Sequence, residues 1–238
     1  MINLYTTDEF LIARRNAIIG HIINNSKQIP DYIKRLSYIY NTDVSSDTSP
    51  YIDTNYYPNK STKIVIKIES MNSKNSDSGY YTCPYGVRSN NGYRLICYDN
   101  LSNYEFSIYT GKYKYFYPKS GFTADLETST IEHSSDGYTL SSKIENYNAK
   151  IDSVNQWQSE SPLYLFACNY QGEILKPYYG KIYYIKIFEN DIAIKHLVPI
   201  YNEIQNIAGM YDLINNVEYY SPNGKSFSIG QRGDNFEL

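Results

Sequence analysis

Two stretches of the chain alternate apolar and polar residues, and this alternation restricts the secondary structure more than any other feature. In Thr62–Glu69 the isoleucines Ile64, Ile66 and Ile68 occupy every second position, with charged residues and a valine between them. Successive side chains of a β-strand point to opposite faces of a sheet, so a period of two is typical of a half-buried strand. The stretch therefore predicts a strand with one apolar face against a core.

Gly180–Glu189 shows the same period. The alternation places Tyr183, Ile185 and Ile187 on one face. It places Ile182, Tyr184, Lys186 and Phe188 on the other. Shorter strand-like runs are separated by turns rich in Gly, Asn, Asp and Ser. These runs are Tyr93–Tyr98, Tyr104–Tyr109, Tyr113–Tyr117, Thr128–His133, Tyr138–Glu145 and Leu163–Cys168. Many short strands at this spacing predict an all-β antiparallel sandwich.

The first 30 residues follow a different pattern. Thr6 and Glu9 have the spacing of a capping box, in which each side chain bonds a free amide of the first helical turn. Apolar residues then recur at helical spacing over residues 7–24. The apolar stripe includes Phe10, Leu11, Ile18 and Ile22. The pattern predicts one amphipathic helix, whose stripe either packs on the chain's own sandwich or docks as an arm on a neighbouring subunit.

Composition excludes several function classes. The formal net charge of the 238 residues is −3, which argues against a general nucleic-acid binder, because such proteins gain affinity from a basic face. The cysteines Cys83, Cys97 and Cys168 form no C-x-x-C pattern, and we expect three free, mostly buried thiols and no metal site. No apolar run is long enough to span a bilayer, and we expect no membrane insertion. We expect no cofactor.

Two blocks of the β region form an ordered series. The first is Tyr51–Pro58 (YIDTNYYP), followed by Thr62-Lys63-Ile64-Val65-Ile66. The second begins with Leu163–Ala167 (LYLFA) and Gly180–Phe188 (GKIYYIKIF). It continues with Leu197–Ile200 (LVPI), Gly209–Leu213 (GMYDL) and Asn223-Gly224, and ends with Phe227 and Gly230.

In this order the blocks resemble a concanavalin A-like (laminin G-like) jelly-roll family over about residues 32–230. The resemblance implies a jelly-roll sandwich, and the family is common in structural proteins of tailed bacteriophages and in surface proteins of gut bacteria. We therefore expect two regions, an N-terminal helix or arm over residues 1–30 and a concanavalin A-like β-sandwich over residues 31–238.

The second block also allows local predictions. Pro199 has no amide hydrogen to donate to a ladder, so the strand is expected to leave the sheet at Leu197–Ile200. Tyr211 and Leu213 are expected to face the core. Between them, the carboxylate of Asp212 is expected to accept hydrogen bonds from nearby turn amides.

A catalytic constellation is not evident. A retaining glycosidase needs two carboxyl groups about 5–5.5 Å apart, and the nearest pattern, Glu189-Asn190-Asp191, lacks a third carboxylate and is interpreted as a solvated hairpin tip. His21, His133 and His196 lie in separate regions and indicate neither a triad nor a zinc site. We expect no enzymatic activity, and a divergent glycoside hydrolase is the enzyme-class alternative.

Sugar binding has better candidates. Lectin sites stack exposed aromatic rings on sugar faces, and Trp157, Tyr178 and Tyr179 are the rings that we select for a glycan site. The chain has 29 tyrosines, however, and aromatic rings serve equally well in a core or an interface. Both interpretations stay open at this point.

The expected function is that of a non-enzymatic virion structural protein of a tailed bacteriophage, a capsid-accessory, fibre or tail component. It would be synthesised in the host cytoplasm and located in the virion. Its partners would be other virion proteins (capsid, fibre or tail subunits), and homo-oligomerisation is left open. The alternative is a carbohydrate-binding adhesion module that recognises host surface glycans.

Overall fold

A computed structural model describes the part of the chain from residue 29 to residue 230, with gaps. The described residues are 29–43, 45, 48–70, 80–88, 92–100, 103–111, 129–134, 137–141, 146–150 and 157–230. By its internal contacts the chain divides into Met1–Pro30 and Asp31–Leu238, and every described strand belongs to the second unit. The predicted helix over residues 7–24 and the predicted strand Tyr113–Tyr117 lie outside the described residues. None of the described residues forms a helix that is long and apolar enough to cross a membrane.

The described residues form strands and turns. The strands are β1 (Ile33–Arg35), β2 (Ile39–Asn41), β3 (Ile52–Asp53), β4 (Thr62–Ser70), β5 (Tyr80–Val87), β6 (Gly92–Asn100), β7 (Asn103–Gly111), β8 (Ser129–Ser134), β9 (Gly137–Ser141), β10 (Asn146–Lys150), β11 (Tyr164–Leu165), β12 (Cys168–Tyr170), β13 (Glu173–Leu175), β14 (Gly180–Glu189), β15 (Ile192–Asn202), β16 (Ile207–Asp212), β17 (Val217–Tyr219) and β18 (Ser228–Ile229).

These strands form two sheets. The larger sheet has the order β10-β9-β8-β4-β14-β15-β16-β17, and in addition β1 pairs with β15 while β2 pairs with β14 and β18. The smaller sheet has the order β13-β12-β5-β11-β3, and β6 and β7 extend it from β5. The named strands pair antiparallel, apart from β5 with β12. The prediction of an all-β antiparallel sandwich is confirmed.

One apolar core lies between the two sheets. Ile64, Ile66 and Ile68 of β4 are buried in it together with Tyr85 and Leu95 of the smaller sheet. Full burial of an isoleucine side chain contributes roughly 1.5–3 kcal/mol, so the face predicted from the alternation in Thr62–Glu69 is a main element of the core.

The alternation in β14 is interrupted by a β-bulge. Ile182 pairs with Ile68 and Tyr184 with Lys67, so Tyr183 is an extra residue without a register partner. Consequently all three isoleucines of β14 are buried, and the two tyrosines lie side by side on the outer face. The predicted faces are therefore wrong for the first half of this strand, because a strict period of two does not allow for an inserted residue.

β15 runs through Pro199 without leaving the sheet, contrary to the prediction. Its neighbour on one side changes instead, since β14 pairs with β15 as far as Leu197 and β1 pairs with it from Ile200 onward. Between these two ladders the amide of Leu36 donates to the carbonyl oxygen of Pro199 at 3.0 Å. In an extended strand the N–H and C=O groups of one residue point to the same neighbouring strand. The missing amide hydrogen of Pro199 therefore lies at the point where the neighbour of β15 changes from β14 to β1.

In β16 Ala208, Met210 and Tyr211 are all buried, so the prediction of a buried side chain is confirmed for Tyr211, whereas Leu213, just after the strand, is only half-buried. The prediction for Asp212 is confirmed. Its Oδ1 atom accepts hydrogen bonds from the amides of His196 and Ile214, both at 3.0 Å. This buried carboxylate thus closes the turn that follows β16.

The predicted strand Leu163–Cys168 is divided into β11 and β12. Phe166 lies between them with φ of 63°, in the left-handed region that bulky residues rarely adopt. Its side chain is fully buried in the core. The chain turns at Phe166, so that β11 is antiparallel to β5 and β12 is parallel to it.

A buried polar cluster connects the two sheets. The ring of His133 in β8 shares hydrogen bonds with Tyr85 through Nδ1 (2.8 Å) and with Thr110 through Nε2 (2.6 Å). The Tyr93 hydroxyl donates to the His133 carbonyl oxygen at 2.5 Å, and the two rings stack with centroids 3.9 Å apart. Burial lowers the pKa of His133 to about 3, so the imidazole stays neutral over the physiological range.

This cluster predicts acid sensitivity. The unfolded chain takes up a proton at His133 near pH 6.5 and the folded chain only near pH 3, so stability is full above pH 6.5 and is lost as the pH falls toward 3. At 1.36 kcal/mol per pKa unit, the full loss is about 5 kcal/mol. Urea unfolding at pH 7 and pH 4 should show a smaller pH-dependent loss in His133→Asn than in the unaltered chain.

Thr110→Val is the matched control, because it removes one hydrogen bond of the cluster and keeps the titrating ring. It should lower stability at pH 7 by about 1–3 kcal/mol and preserve the pH dependence. An identical pH dependence in His133→Asn and the unaltered chain would show that His133 is not the acid-sensitive group.

Candidate functional site

A cavity of about 550 Å³ lies where β14 and β15 separate. Its polar lining comes from four strands and from the residues that follow β1. These polar lining residues are Arg35, Ser37, Lys67, Tyr183, Tyr184, Lys186 and His196. Leu36, Val198 and Pro199 form its apolar wall. We call this cavity the split-strand cleft.

The floor of the split-strand cleft follows directly from strand register. Lys67 of β4 is the cross-strand partner of Tyr184, and Lys186 is the partner of His196 in β15. Side chains of directly opposite residues in an antiparallel pair lie on the same face, about 4.5–5.5 Å apart at Cβ. Backbone pairing alone therefore brings two lysine side chains together with the rings of Tyr184 and His196.

Tyr183, the bulge residue, is held from two directions. Its hydroxyl donates to Glu69 Oε2 at 2.5 Å, and Lys181 binds the other oxygen of the same carboxylate at 2.5 Å. The ring of Tyr38 packs against the ring of Tyr183 with centroids 5.3 Å apart and planes inclined by 59°. The ring therefore has a defined position before any ligand binds.

The lysine heads lie near the ring faces. Lys67 Nζ is 5.3 Å from the ring centroid of Tyr183, and Lys186 Nζ is 5.7 Å from that of Tyr184. Both distances are within the range of cation–π attraction, roughly 0.5–1 kcal/mol for exposed pairs. Tyr184 also meets His196 edge to face, at 6.3 Å and 83°. Charges and rings thus form one connected surface.

The two cleft lysines, Lys67 and Lys186, differ from other lysines of the larger sheet in that they have no acidic partner among the described residues. Among the described residues, neither Lys67 nor Lys186 forms an ion pair, and no carboxylate lines the cleft. Other lysines of this sheet have acidic partners: Lys63 with Asp191, Lys181 with Glu69, and Lys195 with Asp212. Positive charge therefore accumulates locally in the cleft.

The titration of His196 agrees with this distribution of charge. Burial, followed by the positive charges of Lys186 and Arg35, lowers its pKa to about 4, and Asp212 opposes the shift. His196 is therefore neutral at physiological pH. Burial also lowers the pKa of Arg35, which remains a cation because its ordinary value is 12.5. The cleft carries three positive charges, from Arg35, Lys67 and Lys186.

The aromatic residues predicted for sugar binding do not come together in this cleft. Trp157 is 8% exposed and stacks against Tyr93 with centroids 5.8 Å apart, and its indole Nε1 has no hydrogen-bond partner among the described residues. Tyr178 is fully buried, with its ring packed so closely on Gly180 that a methyl group there would overlap it. Tyr179 is half-buried. The assumption that Trp157 and Tyr178 expose ring faces is wrong, because the core uses both.

The residues predicted for assembly, Phe10, Leu11, Ile18 and Ile22, lie outside the described residues. Of the cleft residues, sequence analysis did not select any as functional. A signal was present in β14, where Ile182 and Ile185 enclose two tyrosines. Isoleucines separated by three cannot both face a core in a regular strand, so this spacing indicates a bulge that presents both intervening rings on the outer face.

The Glu189–Asp191 segment is a hairpin tip, as predicted. Asn190 and Asp191 have φ of 50° and 62°, as a two-residue hairpin turn between β14 and β15 requires. The two carboxylates are engaged separately, Glu189 with the side-chain amide of Asn59 and Asp191 with Lys63 at 2.7 Å.

The three cysteines are buried thiols that are not joined in disulfides, as predicted. Cys83 and Cys168 belong to a small apolar cluster with Ile96. No group of three or more potential ligands (His, Cys, Asp or Glu) that could hold a metal ion occurs within the described ranges.

Comparison with known proteins gives weak similarities. No family model and no curated protein matches the chain. Among solved structures, domains LG4-5 of the mouse laminin alpha1 chain match with a TM-score of 0.40 and 11% identity, over 71% of this chain and 46% of that one. A mutant of the NanB sialidase from Streptococcus pneumoniae matches with a TM-score of 0.41 and 12% identity, over 82% of this chain and 38% of that one.

The chain thus spans less than half the length of either of these structures. Similarities at this level assign neither a family nor an activity. What is established for this chain is its architecture, an antiparallel β-sandwich whose larger sheet carries a cationic and aromatic cleft.

The position of Trp157 predicts a structural role. It is the one tryptophan of the chain, so its fluorescence reports this site alone. We expect weak quenching by acrylamide in the folded protein and a red shift on unfolding. Trp157→Ala should lower the free energy of unfolding by about 3–5 kcal/mol, because it opens a cavity against Tyr93. Strong quenching in the folded state would contradict this placement.

Proposed function

We propose that this chain is a non-enzymatic recognition module and that the split-strand cleft is its carbohydrate-binding site. The observation that carries the proposal is the pair of adjacent rings, Tyr183 and Tyr184, presented at a cavity on the outer face. Aromatic faces pack on the C–H faces of sugars, and neighbouring hydroxyl and amine groups bind sugar hydroxyls. Ser37, Lys67 and Lys186 place such polar groups around the rings.

The dimensions of the cleft support a small ligand. Its volume of about 550 Å³ falls within the roughly 300–1,000 Å³ of ligand sites in proteins. Parts of the cleft are ordered before a ligand binds. Glu69 and Tyr38 hold the ring of Tyr183, and the hydrogen bond between Leu36 and Pro199 fixes the backbone of the wall. A site whose groups are already ordered loses little entropy on binding.

The chemistry of the lining supports binding without turnover. Most glycoside hydrolases use a pair of carboxyl groups beside the scissile bond, and the residues that line the cleft include none. His196 is neutral at physiological pH, and among the described contacts its ring meets Tyr184 only edge to face, without a hydrogen bond to the Tyr184 hydroxyl that would pair a base with a nucleophile. The enzyme-class alternative therefore has no support in this cleft.

Sugar binding predicts a specific loss of affinity. On a glycan array with the full chain, Tyr184→Ala should weaken binding about tenfold, because it removes one of the two stacking rings. Tyr57→Ala is the matched control, since Tyr57 is 45% exposed and does not line the cleft. Equal binding by both variants and the unaltered chain would place the sugar elsewhere, and an array without any binding would reject the proposed function.

The proposed biological context is the virion of a tailed bacteriophage. Two sequence observations support it: the ordered blocks over residues 32–230 that resemble a jelly-roll family, and the amphipathic stripe over residues 7–24. In this proposal the stripe attaches the module to capsid, fibre or tail subunits, and the sandwich presents the cleft to a host surface glycan.

Particle composition tests this context. Mass spectrometry of purified particles should find the chain among the structural proteins. Deletion of residues 1–28 should give a folded β domain that is no longer incorporated, because the apolar stripe is removed. Unimpaired incorporation would show that the N-terminal segment is not the attachment site, and absence of the full chain from particles would exclude the virion role.

A further inference from the structure

We propose that the ligand of the split-strand cleft is an acidic saccharide, and that Lys67, Lys186 and Arg35 bind its anionic group. This inference rests on the proposed function and specifies its ligand. It is carried by the distribution of charge on the outer face of the larger sheet: Lys67 and Lys186, which form no ion pair with any described residue, converge on one cavity, while other lysines of the same sheet have acidic partners.

The convergence of like charges needs a physical explanation. Lys67 and Lys186 are half-buried, and among the described residues they have no ion pair. Like charges that are brought close together repel each other, and no carboxylate lines the cleft to offset this repulsion. A carboxylate on a neighbouring strand position would relieve this cost, as Glu69 does for Lys181 at 2.5 Å. An anionic ligand supplies the missing counter-charge.

The geometry fits an anionic group that is attached to a sugar ring. The two ammonium groups lie within 5.3 Å and 5.7 Å of the ring centroids of Tyr183 and Tyr184, respectively. A saccharide in contact with these rings therefore has its substituents within reach of both cations. Arg35, on the wall of the cleft, adds a planar guanidinium, which binds carboxylate and sulfate through two parallel hydrogen bonds.

His196 contributes selectivity of a different kind. Because Lys186 and Arg35 help to keep its imidazole neutral, it offers one N–H donor and one acceptor. Such a group binds a sugar hydroxyl and adds no further charge. The cleft thus combines cations for one acidic substituent with neutral donors and acceptors for the hydroxyl groups around it.

The test uses paired ligands with the full chain. Calorimetric titration with uronic-acid oligosaccharides is compared with the same oligosaccharides after reduction of their carboxyl groups to alcohols, and sulfated oligosaccharides are compared with their desulfated forms. We expect at least one acidic member to bind at least tenfold more tightly than its neutral counterpart. Its affinity should fall as NaCl is raised from about 0.05 to 0.5 M, because salt screens charge–charge attraction.

Variants assign the effect to the cleft. Lys186→Gln and Lys67→Gln should each weaken binding of the acidic ligand about tenfold to a hundredfold, the usual range for one charge-assisted hydrogen bond. The effect on neutral forms should be much smaller, because the Gln amide still donates a hydrogen bond to a sugar hydroxyl. Lys60→Gln is the matched control, because Lys60 is also half-buried and does not line the cleft. Thermal unfolding should show that the two cleft variants are about as stable as the unaltered chain, because each substitution removes one charge repulsion and one weak cation–π contact.

The outcomes separate the two proposals. In one outcome, acidic and neutral saccharides bind equally well, Tyr184→Ala weakens their binding and Lys186→Gln leaves it unchanged. This outcome would overturn the proposal of an acidic ligand and leave the proposal of sugar binding intact. Failure of every saccharide to bind would overturn both. Tight binding of a single-stranded oligonucleotide with the same dependence on Lys186, and no saccharide binding, would identify a phosphate-bearing ligand instead and would also overturn both proposals.

Discussion

The outer cleft depends on one constraint in the larger sheet, the exchange of hydrogen-bond partners along β15. Proline has no amide hydrogen, and Pro199 lies between the ladder that β15 forms with β14 and the ladder that it forms with β1. Because the two central strands separate at this point, the residues that follow β1 enter the sheet and form a wall, with Leu36 hydrogen-bonded to Pro199. The cavity is thus a consequence of strand pairing and does not require a separate loop.

The core and the recognition surface are linked through the bulge in β14. Ile182 and Ile185 both face the core, so the residue inserted between their register positions leaves Tyr183 and Tyr184 on the outer face. Deletion of the extra residue would restore the alternation and leave only one tyrosine on the outer face between Ile182 and Ile185. The same feature that satisfies the core therefore creates the paired rings, and the Glu69 carboxylate then fixes the orientation of one of them.

Sequence patterns predicted the fold better than the site, for identifiable physical reasons. The isoleucines of β4 lie on one face because their pairing is regular, and period-two reasoning describes regular pairing. The cleft arises from irregularities, a bulge at Tyr183 and a partner exchange at Pro199, which depend on long-range register. The lone Trp157 was selected for its residue type, but its exposure depends on the stacked ring of Tyr93. Neither register nor exposure can be read from composition.

The stability of the sandwich explains how the cleft tolerates unbalanced charge. The apolar core and the His133 cluster hold the two sheets together away from the cleft, and other lysines of the larger sheet are neutralised by acidic partners. Repulsion between Lys67, Lys186 and Arg35 is therefore a local cost that the folded state can bear. Folding alone gives no strong reason to keep Lys67 and Lys186 together, since their cation–π contacts contribute roughly 0.5–1 kcal/mol each and the two charges repel each other. A ligand that carries negative charge does give such a reason, because it converts the repulsion into affinity.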